Sequence, residues 1–358
     1  MKALLVGGTG PTGPHVVAGL LSKGYEVAIL HRGTHEIDLP ADVEHLHGDP
    51  HFLESLQSTL GKRHFDLVIG MYGRLRITAE AMKGRTLRFI GIGGTGVYPG
   101  WIKAEQGRVP LPLPVPESCP LQDDPQLDHL GYMMVMSEQA VMQAHREGAY
   151  NATILRYPVI YGPRQLGARE WSIVRRILDG RRHIILPDGG TALEHKGYTE
   201  NMAHAVMLAV EKPESSGQIY NVGDETVLTI KQWVETIARL MGHQWEIVEM
   251  PYRLARPSRP YSGRTHHRVL DLAKIRTELG YKELVPVEEA LRRTVAWLVE
   301  HRPEPGGEVE RQLQDPFDYA AEDHFIREYQ AAVERILAVP FTRERWRHPY
   351  DHPKGPMA

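Results

Sequence analysis

Residues 1–15 read MKALLVGGTGPTGPH, an apolar run followed by closely spaced glycines. Residues 3–6 predict a short buried strand, because apolar residues that end in glycines are typical of a central parallel strand and its turn. Residues 16–21, VVAGLL, predict a helix after that turn. Missing Cβ atoms between such a strand and helix let a dinucleotide pyrophosphate approach the backbone and the helix N-terminus. The cofactor-binding residues predicted here are Gly7, Gly10, Pro11, Thr12 and Gly13.

The composition is that of an ordinary soluble globular enzyme. The chain has 358 residues, of which 42% are hydrophobic and 24% charged. This length suits one large α/β domain or two unequal ones. A net charge of −3 at pH 7 gives no general attraction to nucleic acid or to an anionic membrane. Neither is expected as a partner, and we expect a small-molecule substrate.

Cysteine, histidine and hydropathy patterns narrow the class further. The single cysteine, Cys119, leaves no intramolecular disulfide and no cysteine-based zinc cluster. The adjacent His266 and His267 do not easily point at one ion, so no metal is expected. The first predicted strand begins too early to leave room for a signal peptide, and no apolar run approaches the length of a membrane span. We therefore expect a cytoplasmic location.

The second predicted strand bears on which cofactor is used. Residues 24–30, GYEVAIL, predict this strand, which brings His31 and Arg32 to the expected place of the adenosine ribose. An acid here suits NAD, because it accepts from the ribose hydroxyls, whereas a cation suits the 2′-phosphate of NADP. His31 and Arg32 therefore favour NADP(H). The alternative is that Arg32 is a solvated loop arginine.

Strand-like and helix-like segments alternate through the first half of the chain. Further strands are predicted around residues 43–47, 65–70, 87–92 and 151–155, with helical segments between them. This alternation predicts an α/β fold with a doubly wound parallel Rossmann sheet. Residues 99–127 are rich in proline and predict an extended surface loop over the substrate pocket. The alternative for this loop is a recognition site for a proline-binding partner.

The glycine spacing Gly-x-x-Gly-x-x-Gly, with later matches in order to about residue 300, resembles the extended, atypical short-chain dehydrogenase/reductase family, also called NAD-dependent epimerase/dehydratase proteins. The resemblance implies three further cofactor-binding residues: Asp49, Met71 and Tyr157. A Gly-Asp pair such as Gly48-Asp49 is also common in turns, so this match is supportive only. The turn at residues 156–164 resembles the family segment that leads into the substrate domain, with Arg164 as a substrate-binding residue.

The resemblance also implies the domain organisation. Residues 1–165 form the expected NADP-binding Rossmann domain, with returns near 197–225. Residues 166–302 form an interleaved smaller α/β substrate domain, and residues 303–358 a C-terminal helical extension. We expect the extension to serve packing or assembly, with a homodimer as one form it can take.

The residues expected to carry catalysis depart from the family pattern. Relatives that move a hydride place a Ser or Thr after the fifth strand and a Tyr-x-x-x-Lys on the next helix, where the ammonium lowers the tyrosine pKa. Here Gly94 takes the place of the serine, and Thr95 is beside it. Anchoring the helix on Tyr132 puts Met136 at the lysine. Counting back without gaps from Arg156 instead puts a frequent family glutamate at Glu138, the tyrosine at Leu130 and the lysine at Met134.

Tyr132 and Thr95 are therefore weak candidates for catalysis. Without the lysine, a tyrosine of pKa about 10 stays protonated at neutral pH, which favours reduction of a ketone over oxidation of an alcohol. A methionine cluster fills the same stretch, and it predicts either core packing or an apolar substrate wall. The cluster consists of Met133, Met134, Met136 and Met142.

A basic stretch without acids, residues 256–268, suggests the other end of the substrate site. Arginine forks suit phosphate or carboxylate, so Arg259 and Arg264 are candidates for holding an anionic substrate. A solvated basic loop is the alternative.

Two functions remain open: an NADP(H)-dependent reductase or isomerase of a small molecule, and a non-catalytic NADP(H)-binding sensor or scaffold. RNA binding, as in some atypical relatives, is disfavoured by the charge balance.

Overall fold

The computed structural model of the chain describes residues 1–34, 37–71, 75–102, 111–256, 266–342 and 349–350. The chain divides into two compact units, Met1–Pro316 and Phe317–Ala358. The finer boundaries at residues 165 and 302 stay predictions. In the described parts, no helix is both long and apolar enough to cross a membrane.

The first unit alternates strands with helices. Its strands are β1 (Lys2–Val6), β2 (Glu26–His31), β3 (Glu44–His47), β4 (Phe65–Met71), β5 (Thr86–Gly94), β6 (Asn151–Tyr157), β7 (Val159–Tyr161), β8 (His183–Pro187), β9 (Lys196–Tyr198), β10 (Gln218–Asn221) and β11 (Glu246–Met250). Its helices are α1 (Gly13–Ser22), α2 (Leu53–Leu60), α3 (Leu75–Met82), α4 (His129–Arg146), α5 (Trp171–Leu178), α6 (Thr199–Glu211), α7 (Ile230–Leu240), α8 (Ala273–Leu279), α9 (Val287–Glu300) and α10 (Glu308–Leu313).

Seven strands form the central sheet in the order β3-β2-β1-β4-β5-β6-β10, and every neighbouring pair is parallel. The strand order reverses between β1 and β4, which is where doubly wound sheets open a crevice at the carboxyl ends of their strands. The predicted Rossmann-like fold is confirmed. Two small parallel pairs, β8 with β11 and β7 with β9, lie outside this sheet.

Strand β1 shows why the sheet is covered on both faces. Side chains alternate along a strand, so Ala3 and Leu5 face one side and Leu4 and Val6 the other. Ala3 and Leu5 belong to an apolar cluster with residues of α1 and α6, whereas Leu4 and Val6 belong to a cluster with residues of α2, α3 and α4. All four side chains are almost completely buried. A continuous apolar run is what a strand buried on both faces requires.

The helix that should carry the catalytic pair, α4, begins at His129. Asp128 caps it, since its side chain accepts a hydrogen bond of 3.1 Å from the Gly131 backbone amide. The described part of the proline-rich segment has no helix, as predicted. It is not wholly on the surface, because Val115 is 1% exposed and bridges to Leu270.

The second unit is dominated by one helix, α11 (Tyr319–Leu337). It begins at a capped end, where the Asp318 side chain accepts a hydrogen bond of 3.0 Å from the Ala321 amide. This helix lies within residues 303–358, the stretch that the sequence predicts to be a helical extension.

Candidate active site

The glycine turn between β1 and α1 is shaped by close backbone packing. Gly7 has a φ of 105°, a conformation that disfavours any side chain. A Cβ on Gly13 would lie 1.8 Å from the Gly8 carbonyl oxygen, so only glycine lets the helix start approach the strand end. A Cβ on Gly10 would meet no atom within 4 Å. The turn is therefore tight on its inner side and open at Gly10.

A cavity of about 880 Å³ begins at this turn. It runs past the carboxyl ends of β4, β5 and β6 and continues to segments 165–170, 192–194 and 312–314. The structure brings six of the predicted cofactor residues together in its lining: Gly7, Gly10, Pro11, Thr12, Met71 and Tyr157.

The other predicted cofactor residues lie outside this lining. Gly13 is buried behind the turn. His31 is 5% exposed, its Nε2 lies 3.1 Å from His45 Nδ1, and its Nδ1 accepts from the Gly33 amide. Arg32 is exposed at the end of β2. Asp49 accepts a hydrogen bond of 2.9 Å from the His51 amide, and this contact lowers the pKa of its carboxyl.

Tyr157 contributes a ring rather than an acid to the cavity. Its hydroxyl donates a hydrogen bond of 3.0 Å to the Met202 carbonyl oxygen, which directs it into α6. Burial raises the pKa of this phenol far above its ordinary value. The hydroxyl is thus protonated at neutral pH and already has an acceptor.

The far end of the cavity is charged. Arg268 is 2% exposed, and its Nη1 lies 3.4 Å from Glu194 Oε1. Its Nε donates a hydrogen bond of 3.3 Å to His266 Nε2. Its Nη2 is buried, and no group in the described residues accepts a hydrogen bond from it. Arg169 Nη1 lies 3.6 Å from the same Glu194 oxygen, so one carboxylate faces two guanidinium groups.

A buried ion pair, Lys196 with Glu170, lies beside this cluster. Lys196 Nζ lies 3.0 Å from Glu170 Oε1, and both side chains are almost fully buried. Burial raises the pKa of Glu170, but Lys196 and the hydrogen bond from Gln165 together bring this pKa below its ordinary value. Lys196 also stacks over the Trp233 ring, 3.8 Å from its centre. Because the charges of Lys196 and Glu170 cancel, the net positive charge at this end of the cavity comes from Arg169 and Arg268.

Of the three predicted substrate arginines, the structure describes Arg164. Arg259 and Arg264 lie outside the described residues. Arg164 is exposed and lies over the Trp297 ring at 5.6 Å, away from the lining. Sequence reasoning missed Arg169, Glu194 and Arg268, although Arg268 ends the basic stretch that it singled out.

One face of α4 packs against the end of β5. This face consists of Leu130, Met133, Met134 and Ser137, and it lies beside Gly93 and Gly94. Tyr132 is two positions from Leu130, about 200° around the helix, and does not line this region. Thr95 is 4% exposed and begins a short helical turn after β5.

Residues 73–223 match the profile of the NAD dependent epimerase/dehydratase family. Over these residues, less than half of the chain, the sequence is similar to that family. The uncharacterized protein YbjS of Escherichia coli (strain K12) is 29% identical over 174 residues, which is 42% of this chain and 50% of YbjS. The chain thus spans about half the length of this curated relative.

Solved structures show the same epimerase/dehydratase fold over most of the chain. The UDP-glucose 4-epimerase of Thermotoga maritima with UDP-glucose has a TM-score of 0.70 at 21% identity, covering 85% of this chain and 100% of that one. The Thermus thermophilus UDP-glucose 4-epimerase in complex with NAD has a TM-score of 0.66 at 21% identity, covering 84% and 99%. At such identities the likeness shows the fold.

Against the epimerase/dehydratase pattern implied by the sequence, the α4 face is unusual. The ungapped alignment places Leu130 and Met134 where the family has tyrosine and lysine, and both residues belong to the face beside Gly93 and Gly94. Neither side chain can move a proton. The roles of Tyr132, Thr95 and the cofactor residues stay predictions.

Proposed function

We propose that this chain is an NADP(H)-dependent reductase or epimerase-like enzyme that acts on a small molecule bearing an anionic group. The observation that carries the proposal is the continuous cavity from the glycine turn to Arg268. In doubly wound sheets, ligands bind in the crevice at the carboxyl ends of the strands. This crevice joins a phosphate-binding type of turn to a buried guanidinium that lacks an acceptor on Nη2 in the described residues.

The turn fits a dinucleotide. The backbone amides around Gly8 and Gly10, together with the N-terminus of α1, would hold its pyrophosphate, because open space at Gly10 leaves the amides accessible. When bound, a nicotinamide cofactor supplies or accepts a hydride. The related NAD complex of the Thermus thermophilus epimerase supports the same use of this fold.

The preference for NADP(H) rests on the end of β2. Arg32 is exposed there, while the neighbouring His31 is buried and its ring holds the Gly33 amide. A buried ring that fixes this loop leaves Arg32 as the side chain able to reach a 2′-phosphate. An arginine fork binds such a dianion strongly because two parallel N–H donors match its oxygens.

The substrate anion is assigned to the charged end of the cavity. Arg268 and Arg169 carry two positive charges against the single carboxylate of Glu194. A ligand carboxylate or phosphate at this end of the cavity would be attracted by the two guanidinium groups, of which that of Arg169 is the more accessible. The same lining includes Tyr252 and His266, groups able to move a proton in place of the missing tyrosine and lysine pair.

Loss of NADPH absorbance in the presence of ketones, enones and nucleotide sugars tests this function. We expect turnover with a substrate that carries a carboxylate or phosphate, and a loss of about 10- to 100-fold in its binding for Arg268→Lys, which removes the planar fork. Arg63→Ala is the control, because Arg63 pairs with Glu44 at the surface. Equal effects of the two substitutions would reject the substrate assignment.

A second function, a non-catalytic NADP(H) sensor or scaffold, is favoured by one observation. The α4 face beside Gly94 carries Leu130 and Met134, which cannot transfer protons. Tight NADPH binding without consumption across the whole panel, combined with a cofactor-dependent change in association state, would support the sensor and contradict the reductase.

A further inference from the structure

A second, apolar pocket of about 350 Å³ lies beside the cofactor cavity, between α3, β5 and α4. Its apolar side chains come from all three elements: Leu75, Ile77, Ile92, Leu130, Met133 and Met134. An apolar cavity of about 150 Å³ is enough to hold benzene. The pocket is therefore large enough for a ring-sized group and a short link to it.

The pocket and the cofactor cavity share a wall. Ile92, Gly93 and Gly94 line both of them. A Cβ on Gly94 would lie 3.6 Å from Met134 Sδ, an ordinary contact, so the backbone has room for a side chain that this sequence lacks. With glycine at this position, no side chain of residue 94 stands between the two spaces. The pocket therefore lies directly beside the space that a ligand in the main cavity would fill.

The polar side chains that line the pocket do not require a hydrogen-bonding partner from a ligand. The Ser137 hydroxyl already donates a hydrogen bond of 2.9 Å to the Met133 carbonyl oxygen. Arg76 and His129 are exposed, so water solvates them at the rim. In the described lining, a ligand hydroxyl placed against the apolar walls would lose its hydrogen bonds to water without replacement, which weakens binding by about tenfold or more for each such group.

The mouth of the pocket is apolar too. Leu130 is 52% exposed although it lies in the first turn of α4 and lines the pocket. A bound apolar group would cover this side chain and bury it. Met133 and Met134 add unbranched, adaptable walls that adjust to the shape of such a group.

We infer that this pocket binds an apolar substituent of the substrate, an aromatic ring or a branched aliphatic group attached next to the reacting carbonyl. The inference rests on the proposed reductase function and names its substrate class. The substrate is then amphipathic, with its apolar group at α4 and its anion at Arg268. A hydroxyl-covered sugar ring does not suit the α4 walls.

The test is a series of methyl ketones of increasing length, from 2-butanone to 2-octanone, titrated by calorimetry into the protein with and without saturating NADP⁺. Burial of each methylene should tighten binding by about fourfold until the pocket is filled. Met134→Lys should remove most of this gain. Met136→Lys is the matched control, because it places the same charge on the same helix outside the pocket lining.

A second variant, at an exposed position, separates loss of ketone binding from loss of the fold. Leu130→Ser changes an exposed side chain and should weaken 2-octanone binding by several-fold, with an unchanged melting temperature. A flat series in the wild-type protein, or equal losses in Met134→Lys and Met136→Lys, would overturn the inference while NADP⁺ binding still supported the proposed function. Absence of NADP⁺ binding would defeat the proposed function alone, since the ketone series without cofactor measures the pocket directly.

Discussion

Arg156 Nη2 lies 2.8 Å from Glu138 Oε2, and both side chains are almost fully buried. Arg156 Nε donates a second hydrogen bond of 3.0 Å to Glu138 Oε1, so the pair is bidentate. The pair joins α4 to the end of β6 and fixes which face of α4 lies beside Gly93 and Gly94. Burial alone would lower the pKa of Arg156, but Glu138 more than offsets it and raises that pKa.

Removing one partner of this pair should destabilise the protein strongly. Glu138→Ala leaves the Arg156 charge buried without its partner, and we expect a loss of about 3–5 kcal/mol in the free energy of unfolding, measured in urea. The exposed pair Arg239–Glu288 provides the control, and Glu288→Ala should cost about 1 kcal/mol or less. Equal losses would show that the buried pair does not fix α4.

The glycine turn gives a pair of substitutions with opposite expectations. Gly13→Ala places a Cβ 1.8 Å from the Gly8 carbonyl oxygen and should destabilise the fold by about 1–3 kcal/mol or more. Gly10→Ala meets no atom within 4 Å and should keep the melting temperature while weakening dinucleotide binding about tenfold. Thermal melts and cofactor titrations of both variants check this. Unchanged cofactor affinity in Gly10→Ala would place the pyrophosphate elsewhere.

His195 makes stability depend on pH. Its Nε2 donates to the Asp224 carbonyl oxygen at 2.8 Å and its Nδ1 accepts from the Leu270 amide at 3.0 Å, so the buried ring is neutral. Burial lowers the pKa of His195 to about 4. Because this folded pKa is below the unfolded value of about 6.5, its contribution is complete above pH 6.5 and is lost as the pH falls towards 4.

The measurement is urea unfolding of the wild type and His195→Gln across this pH range. The stability difference between the two proteins should shrink by about 3 kcal/mol from pH 7 to pH 4. The comparison with His195→Gln is needed because burial raises the pKa of Asp224 to about 6, which changes stability with the opposite sign. A difference that stays constant with pH would mean that folding does not lower the pKa of His195.

Tyr132 decides between the two alignments of α4. Because Leu130, Met133 and Met134 form the face beside Gly94 and Tyr132 lies about 200° from Leu130, Tyr132→Phe should leave turnover within about twofold of the wild type. Steady-state kinetics with the best ketone measure this. A loss of 10²-fold or more, with cofactor affinity intact, would make Tyr132 the general acid after all.

Much of the fold follows from local patterns in the sequence. The strand, glycine turn and helix of residues 1–22 were predictable because each depends on neighbours along the chain. The parallel sheet followed from the alternation of strands and helices. The position of Glu138 opposite Arg156 was also accessible, since the ungapped count from β6 sets the helix face.

The charged end of the cavity was less accessible. Arg169, Glu194 and Arg268 come from distant segments that meet only through the returns of the chain around β7 and β9. The basic stretch 256–268 predicts an anion site, but the spacing of its residues does not tell which arginine is buried. Of the two arginines of this stretch that the structure describes, Arg256 and Arg268, it is Arg268 that lines the cavity.

The central claim is that the glycine turn and the end of β2 hold NADP(H). Fluorescence titration of the protein with NADPH and NADH, repeated for Arg32→Ala, tests it most directly. We predict one NADPH bound per chain, weaker binding of NADH, and a loss of about 10- to 100-fold in NADPH affinity alone for Arg32→Ala. Equal affinities for the two cofactors, or an NADPH affinity that Arg32→Ala leaves unchanged, would contradict the account.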